Sequence, residues 1–203
     1  MKIYVIRHGE TDWNVARRLQ GRSNTDLNEN GKKLAQMTGE ALKGVPFACV
    51  FTSPLNRAVE TAELVLAGRK IPIIPDERLL EISFGEYEGL SSKSTNYEIP
   101  DLDFMNFFQH PENYRTPPGG ESLDQVEERT AAFLEDICSR QELEDQTVLV
   151  STHGCAMRGL LNSLRNAPRS DYWNGGVPKN CGVALIESQK GKKTLLWENK
   201  TFY

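Results

Sequence analysis

Residues 2–9 read KIYVIRHG, and this stretch decides how the rest of the chain is interpreted. Residues 2–6 form a short, mostly apolar and β-branched run, which predicts a buried β-strand. The run ends at once in Arg7, His8 and Gly9. Residues 148–154, VLVSTHG, follow the same plan, because an apolar run again ends in polar residues and then His-Gly. Only three histidines occur in the chain, and two of them, His8 and His153, occupy equivalent strand ends, which favours function over core packing.

Strand-like and helix-like segments alternate along the 203 residues. Short apolar runs predict strands at 2–6, 48–52, 70–74, 146–152, 181–188 and 193–199. Amphipathic periodicity and end signals predict helices at 29–43, 53–66, 122–141 and 153–165, with a short helix near 101–109. Proline in the third strand, at position 72, is typical of a strand at the edge of a sheet.

Local signals predict where three of these helices begin. Asn28 is expected to cap the first helix. Ser53 is expected to cap the second, with Pro54 at its first helical position. At the third helix, Ser122 and Gln125 form a capping-box pattern.

The alternation predicts an α/β fold class with one three-layer domain over residues 1–203. In this arrangement a mainly parallel mixed sheet carries helices on both of its faces. The region near 91–120 lacks periodicity and contains several prolines. It is therefore expected to form a small cap outside the core.

Composition limits the classes of function. A formal net charge of −4 argues against a nucleic-acid-binding protein, which would usually be basic. No apolar stretch is long enough to span a bilayer, and the N-terminal run is too short for a secretory signal. The four cysteines are widely separated, which favours free thiols in the cytoplasm over zinc or redox sites.

Polar residues follow several predicted strands at the point where a ligand would bind. In an open α/β sheet the ligand crevice lies beyond the carboxyl ends of the strands, so His8 and His153 are expected on one rim. Arg57 falls in the first turn of the second helix, where a cation is unfavourable unless an anion compensates it. Together with Arg7 it predicts a phosphate clamp.

The alkoxide that leaves when a phosphate ester is cleaved needs a proton, and residues 79–90, LLEISFGEYEGL, offer three carboxylates. Glu81 follows an apolar pair and is expected to point into a partly buried crevice, where it would suit a general acid. Glu86 and Glu88 are expected to face solvent or to bond to the local backbone.

Other chemistries fit the sequence less well. The chain has no G-x-x-x-x-G-K-[ST], G-x-G-x-x-G or G-x-S-x-G pattern, so nucleotide-binding and serine-hydrolase sites are unsupported. A metal shared by His8 and His153 would be repelled by Arg7 and Arg57. We therefore expect neither a metal nor a cofactor.

The sequence resembles the histidine phosphatase superfamily, in its phosphoglycerate-mutase-like branch, and in particular its α-ribazole and broad-specificity phosphatase members. The matching blocks run in order along nearly the whole chain. They are RHGETDWN (7–14), RLQGRSNTDLNENG (18–31), SPLNRAVETA (53–62), LLEISFGEYEGL (79–90), PPGGES (117–122) and VSTHGCAMR (150–158).

The resemblance implies a mechanism in which His8 is the nucleophile and becomes a phosphohistidine. Glu81 would protonate the leaving oxygen and then activate the water that hydrolyses the intermediate. Since Arg7 and Arg57 disfavour protonation nearby, His8 is expected to be neutral. His153 would serve best as a protonated donor to the phosphate.

The same resemblance implies which residues bind the phosphoryl group. Its oxygens would be held by a set of side chains and backbone groups, namely Arg7, Arg57, His153, Asn14, Gln20, Gly21 and the backbone around Gly154. The partners implied are a small phosphorylated substrate and inorganic phosphate as product, with neither nucleic acid nor membrane.

Three functions remain open at this stage. A phosphatase is favoured over a cofactor-dependent mutase, because the cap region has Lys93 and Arg115 as its only cations and a mutase must clamp a carboxylate-bearing substrate. A catalytically inactive module that binds a phosphometabolite or phosphoprotein is the alternative from another class. The oligomeric state is left open, a homodimer being one option.

Overall fold

The computed structural model describes residues 1–165 and 167–203. The strands are β1 (Lys2–Arg7), β2 (Phe47–Thr52), β3 (Ile73–Pro75), β4 (Ser92–Lys93), β5 (Asn96–Tyr97), β6 (Thr147–Thr152), β7 (Val183–Gln189) and β8 (Lys192–Lys200). The helices are α1 (Asp12–Val15), α2 (Glu29–Ala41), α3 (Asn56–Leu66), α4 (Asn106–Gln109), α5 (Leu123–Ser139) and α6 (Gly154–Asn162).

Six strands form one mixed sheet in the order β3-β2-β6-β1-β7-β8. Strands β3, β2, β6 and β1 run parallel to one another, whereas β7 is antiparallel to both of its neighbours, β1 and β8. This confirms the prediction of a mainly parallel mixed sheet. The short strand β3 lies at its edge, where a proline-containing segment is expected.

Alternate residues of the central strand β1 enter two different cores, because successive side chains of a strand point to opposite faces. Ile3 and Val5 pack in one buried cluster with residues of α5 and α6. Ile6 packs in another cluster with residues of α2 and α3. Helices therefore cover both faces of the sheet, and the predicted three-layer arrangement is confirmed.

The pairing of β1 with β6 brings the two His-Gly sequences together. The strands are parallel and in register, with Arg7 beside Thr152. The next residue after each strand is a histidine, so His8 and His153 leave the sheet side by side. Their ring centroids are 5.1 Å apart.

Helix α3 begins later than the sequence predicts. Its N-cap is Leu55, which provides no side-chain hydrogen bond, so the prediction that Ser53 caps this helix is wrong. The hydroxyl of Ser53 lies instead 2.7 Å from His153 Nε2, and Pro54 lies in the turn before the helix. Asn28 and the Ser122–Gln125 capping box occur as predicted.

The cap begins with the two-stranded β4–β5 ribbon and continues through α4 and a turn of 3₁₀ helix at Pro111–Asn113. Its aromatic residues form a third buried cluster, which includes Phe104 and Phe107 and extends to Val126 of α5 and Tyr172. Much of the aromatic content of the cap is therefore core packing, and it anchors the cap against the helical layer.

The loop that carries His8 rests directly on the first turn of α2. A Cβ atom added at Gly31 would lie 2.1 Å from the carbonyl oxygen of Glu10, and one added at Gly9 would lie 2.6 Å from the carbonyl oxygen of Gly31. The small size of Gly9 therefore serves the contact between this loop and α2.

This contact predicts the effect of Gly31→Ala. Helix propensity alone would make alanine stabilising by about 1 kcal/mol. Because the added methyl group meets backbone atoms, we expect the free energy of unfolding to fall by about 1–3 kcal/mol instead. Urea unfolding measures the change. The control is Gly44→Ala, where the added Cβ has no neighbour within 4 Å; a Gly31→Ala protein as stable as that control would contradict the packing described.

Candidate active site

A cleft of about 580 Å³ opens where β1, β2 and β6 end. Eight of the nine predicted site residues line it. They are Arg7, His8, Asn14, Gln20, Gly21, Arg57, Glu81 and Gly154. The ninth, His153, is fully buried and lies next to His8.

A single hydrogen bond determines which ring nitrogen of His8 carries the proton. Its Nδ1 lies 2.7 Å from the carbonyl oxygen of Gly9. A carbonyl can only accept, so Nδ1 carries the proton and the Nε2 of the neutral ring keeps its lone pair. Burial and the nearby charges of Arg57 and Arg7 hold the pKa of His8 well below its usual value, which keeps the ring neutral. An imidazole in this state can act as a nucleophile.

The protonated form of His153, in which we expect it to donate to a bound phosphate, is disfavoured by its surroundings. Burial lowers its pKa well below the usual value, and Arg57 and His8 lower it further. Its Nε2 lies 2.7 Å from the hydroxyl of Ser53, whereas its buried Nδ1 has no hydrogen-bond partner among the described residues. The depth of this burial is not readable from the position of a histidine after a strand.

The guanidinium groups of the fully buried Arg57 and the half-buried Arg7 converge on the cleft. Arg57 donates from Nη1 to the carbonyl oxygen of Ser23 and from Nη2 to that of Gly21, both at 2.7 Å. Arg7 donates from Nη1 to the carbonyl oxygen of Pro178 at 2.5 Å. The Nε of each arginine is buried and has no partner within the described part of the chain. Burial lowers the pKa of Arg57 to about 10, so an anion in the cleft would relieve a real electrostatic cost.

Glu81 is held at the first turn of α6. Its Oε2 accepts from the amide of Cys155 at 3.1 Å, and its Oε1 accepts from the amide of Ala156 at 3.0 Å. Helix N-termini favour such anions. The amides of Cys155 and Ala156 are thus occupied by Glu81. Of the backbone around Gly154 that we expected to bind phosphate, the Gly154 amide is left for this role.

The side-chain amides of Asn14 and Gln20 are oriented by hydrogen bonds to their oxygens. Asn14 Oδ1 accepts from the amide of Thr11 at 3.1 Å. Gln20 Oε1 accepts from the hydroxyls of Thr11 at 3.0 Å and Thr25 at 2.7 Å. Each amide nitrogen is thereby the group left to donate to a ligand. Gly21 contributes through its carbonyl, which holds Arg57.

Asn180 belongs to the site although the sequence did not point to it. Its Nδ2 lies 3.1 Å from the carbonyl oxygens of both His8 and Gly9 and 3.2 Å from Asn14 Oδ1. The residue precedes β7, which pairs with β1, so its position depends on long-range pairing. No local motif could have revealed it.

The walls of the cleft are largely aromatic. Trp13, Phe84, Phe107, Phe108 and Trp173 line it together with Met105. Arg17 and Arg18 also line it; neither was predicted as a site residue. Of the predicted carboxylate alternatives, Glu88 accepts from the local backbone amide of Phe84, as expected, and also from the amides of Arg22 and Ser23, which are distant in sequence.

All four cysteines are free. Cys155 lines the cleft, but burial raises its pKa well above the usual value, so it is a poor nucleophile.

Within residues 1–165 and 167–203, no helix is long and apolar enough to cross a membrane. The same residues contain no cluster of three or more histidine, cysteine or acidic side chains suited to a metal ion.

The sequence matches the histidine phosphatase superfamily (branch 1) over residues 3–201. The chain belongs to this superfamily. Relatives of this histidine phosphatase include phosphoserine phosphatase 1 of Hydrogenobacter thermophilus, 30% identical over 201 residues that cover 99% of this chain and 93% of that protein. The 2,3-bisphosphoglycerate-dependent phosphoglycerate mutase 2 of Gloeobacter violaceus is 33% identical over 165 residues, which cover 80% of this chain and 74% of that protein.

A solved structure supports the same assignment. Bacillus stearothermophilus YhfR matches this histidine phosphatase with a TM-score of 0.90 and 36% identity, over 98% of this chain and 97% of that one. The superfamily match and the phosphoserine phosphatase relative make the chain a phosphomonoesterase of the hydrolase class. They support action on small phosphorylated metabolites.

The neutrality of the two histidines predicts how the stability of this phosphatase depends on pH. In the unfolded chain a histidine binds a proton below about pH 6.5, whereas His8 and His153 in the folded protein resist protonation until the pH is well lower. The unfolded state therefore binds more protons in this window. Stability is present above about pH 6.5 and is lost as the pH falls toward the lowered pKa values.

Urea unfolding at about pH 7.5 and about pH 5.5 measures this loss. We expect the decrease in the free energy of unfolding to be about 1 kcal/mol smaller in His8→Asn than in the natural protein. His110→Asn is the matched control, because the His110 side chain is 61% exposed and its removal should leave the decrease unchanged. An equal decrease in all three proteins would show that His8 protonates normally in the folded state.

Proposed function

We propose that this protein hydrolyses phosphate monoesters of small metabolites through a phosphohistidine formed on His8. The observation that carries the proposal is the Nδ1 contact of His8 with the Gly9 carbonyl, which presents an unprotonated Nε2 in a cleft lined by the fully buried Arg57 and the half-buried Arg7. The neutral ring and the surrounding cations suit attack on a phosphate dianion.

The first step transfers the phosphoryl group. The Nε2 lone pair of His8 forms a bond to phosphorus while the bond from phosphorus to the leaving oxygen breaks. Glu81 takes up a proton when the phosphate dianion binds beside it, because a neighbouring anion favours the neutral carboxyl group. It gives this proton to the leaving oxygen, and the alcohol departs. The enzyme then holds a phosphohistidine and a Glu81 carboxylate.

The second step returns the enzyme to its starting state. Glu81 removes a proton from water as the water oxygen attacks phosphorus, and the bond between phosphorus and His8 Nε2 breaks. Inorganic phosphate leaves, His8 is again neutral and Glu81 again holds its proton. Atoms and charge balance over the two steps without a metal or a redox cofactor.

Charge and hydrogen bonds in the floor of the cleft would stabilise the transferring group. Phosphoryl transfer has a loose transition state, so positioned cations and donors contribute most of the catalysis. Arg7 and Arg57 would supply the positive charge. The donors in their neighbourhood would be the free amide nitrogens of Asn14 and Gln20, the Gly154 amide, and His153 once a phosphoryl dianion lies beside it.

A phosphatase is favoured over a mutase by the composition of the cap. Lys93 and Arg115, its cations, are exposed and do not line the cleft. Phe107 and Phe108 of the cap do line it, which suits a leaving group with apolar surface. The phosphoglycerate mutase remains the second candidate because of the relative in Gloeobacter violaceus.

A small substrate panel tests the proposal. The natural protein is incubated with p-nitrophenyl phosphate, phosphoserine and 3-phosphoglycerate, without added metal and with a chelator. We expect release of inorganic phosphate that the chelator does not reduce. Loss of activity in the chelator would contradict the metal-independent mechanism.

Variants separate the proposed roles. His8→Asn should abolish phosphate release, because the phosphohistidine cannot form, whereas His110→Asn, at an exposed site, should retain full activity. Addition of 2,3-bisphosphoglycerate with 3-phosphoglycerate checks the second candidate. Interconversion of phosphoglycerates faster than phosphate release would identify a mutase, and turnover by His8→Asn would exclude His8 as nucleophile.

A further inference from the structure

Arg17 has a backbone conformation that arginine seldom adopts. Its φ of +53° lies in the left-handed region, where the Cβ atom is strained and glycine is favoured. The residue follows the four-residue helix α1, whose dipole is too short to require a cation at its end. Glycine would therefore be less strained at this position, which makes the arginine side chain a candidate for a functional role.

The backbone bonds of Arg17 do not need its side chain either. Its amide donates to the carbonyl oxygen of Asn14 at 3.1 Å. Its carbonyl accepts from the amide of Ser92 at 2.9 Å and from the Ser92 hydroxyl at 3.0 Å. These bonds join the cap to the segment after α1, and any residue could make them.

The charges along the cleft leave Arg17 as its unbalanced cation. Arg7 and Arg57 lie at the floor, where a phosphoryl dianion would match them. Arg18 forms an ion pair with Glu98 at 2.9 Å. Arg17 is exposed at the rim, and no ion pair involves it in the part of the chain that the structure describes.

We propose that Arg17 is a specificity residue that binds a carboxylate carried by the leaving group of the substrate. This inference rests on the proposed phosphatase function and extends it. The phosphate would lie between Arg7 and Arg57, and the body of the leaving group would contact the aromatic walls. Its far end would meet Arg17, whose single positive charge matches the single negative charge of a carboxylate.

The geometry of the cleft is consistent with such a substrate. A volume of about 580 Å³ falls within the range of pockets that hold drug-sized ligands, roughly 300–1,000 Å³. Met105 and Phe108 of the cap line the same cleft as Arg17. A leaving group that bridges floor and rim would therefore combine an apolar body with a terminal anion.

Two aryl substrates isolate the contribution of Arg17. Phenyl phosphate and 4-carboxyphenyl phosphate share a phenyl ring in the leaving group and differ in its para carboxylate. We expect kcat/KM of the natural protein to favour the carboxylated ester by about two- to fivefold, the range of an exposed ion pair. The preference should appear mainly in KM and should weaken in high salt.

Variants at position 17 distinguish an arginine that binds the substrate carboxylate from one that contacts only solvent. Arg17→Gln and Arg17→Gly should lose the preference while keeping the activity toward phenyl phosphate, and Arg17→Lys should retain most of it. Arg17→Gly should also raise the melting temperature, because glycine relieves the left-handed strain. Arg115→Gln, which removes an exposed cap arginine outside the cleft, should retain the full preference.

The outcomes separate this inference from the proposed function. An unchanged preference in Arg17→Gly and Arg17→Gln would overturn the role of Arg17 while phenyl phosphate turnover upholds the phosphatase. Faster turnover of 1,4-phenylene bisphosphate than of the carboxylated ester would overturn the assignment to a carboxylate. If the natural protein cleaves none of the three esters, the proposed phosphatase function itself fails.

Discussion

The hydrogen bond from His8 Nδ1 to the carbonyl of Gly9 is the constraint on which the site depends. At 2.7 Å it selects the tautomer in which Nε2 is free to attack. The acceptor is itself held, because Gly9 packs against Gly31 of α2 and its carbonyl accepts from Asn180. Catalytic geometry at the strand end therefore depends on a helix from one face of the sheet and a loop from the opposite end of the chain.

Much of the fold and the floor of the cleft could be predicted because the determining signals are local. Apolar runs mark the strands, and Ser122 with Gln125 marks the start of α5. Residues that follow parallel strands meet at one edge of the sheet, so His8, His153 and Arg57 could be placed together before their distances were known. The aromatic cap could be located by its loss of periodicity, although its contacts could not.

The missed features depend on tertiary structure. Ser53 has the residue type of a helix cap, but its hydroxyl contacts His153 instead, and no local pattern distinguishes the two uses. His153 is neutral because of burial that only the packed layers provide. Asn180 reaches His8 through the pairing of β7 with β1, and the left-handed backbone of Arg17 carries no signature in the residue types around it.

The most direct test of the account is the chemical identity of the phosphorylated intermediate. The protein is mixed rapidly with a phosphate ester, quenched in alkali to preserve phosphohistidine, and examined by NMR to assign the nitrogen that carries phosphorus. Because Nδ1 donates to Gly9, we expect phosphorylation of His8 at Nε2. Phosphorus on Nδ1 of His8, or on any other residue, would contradict it.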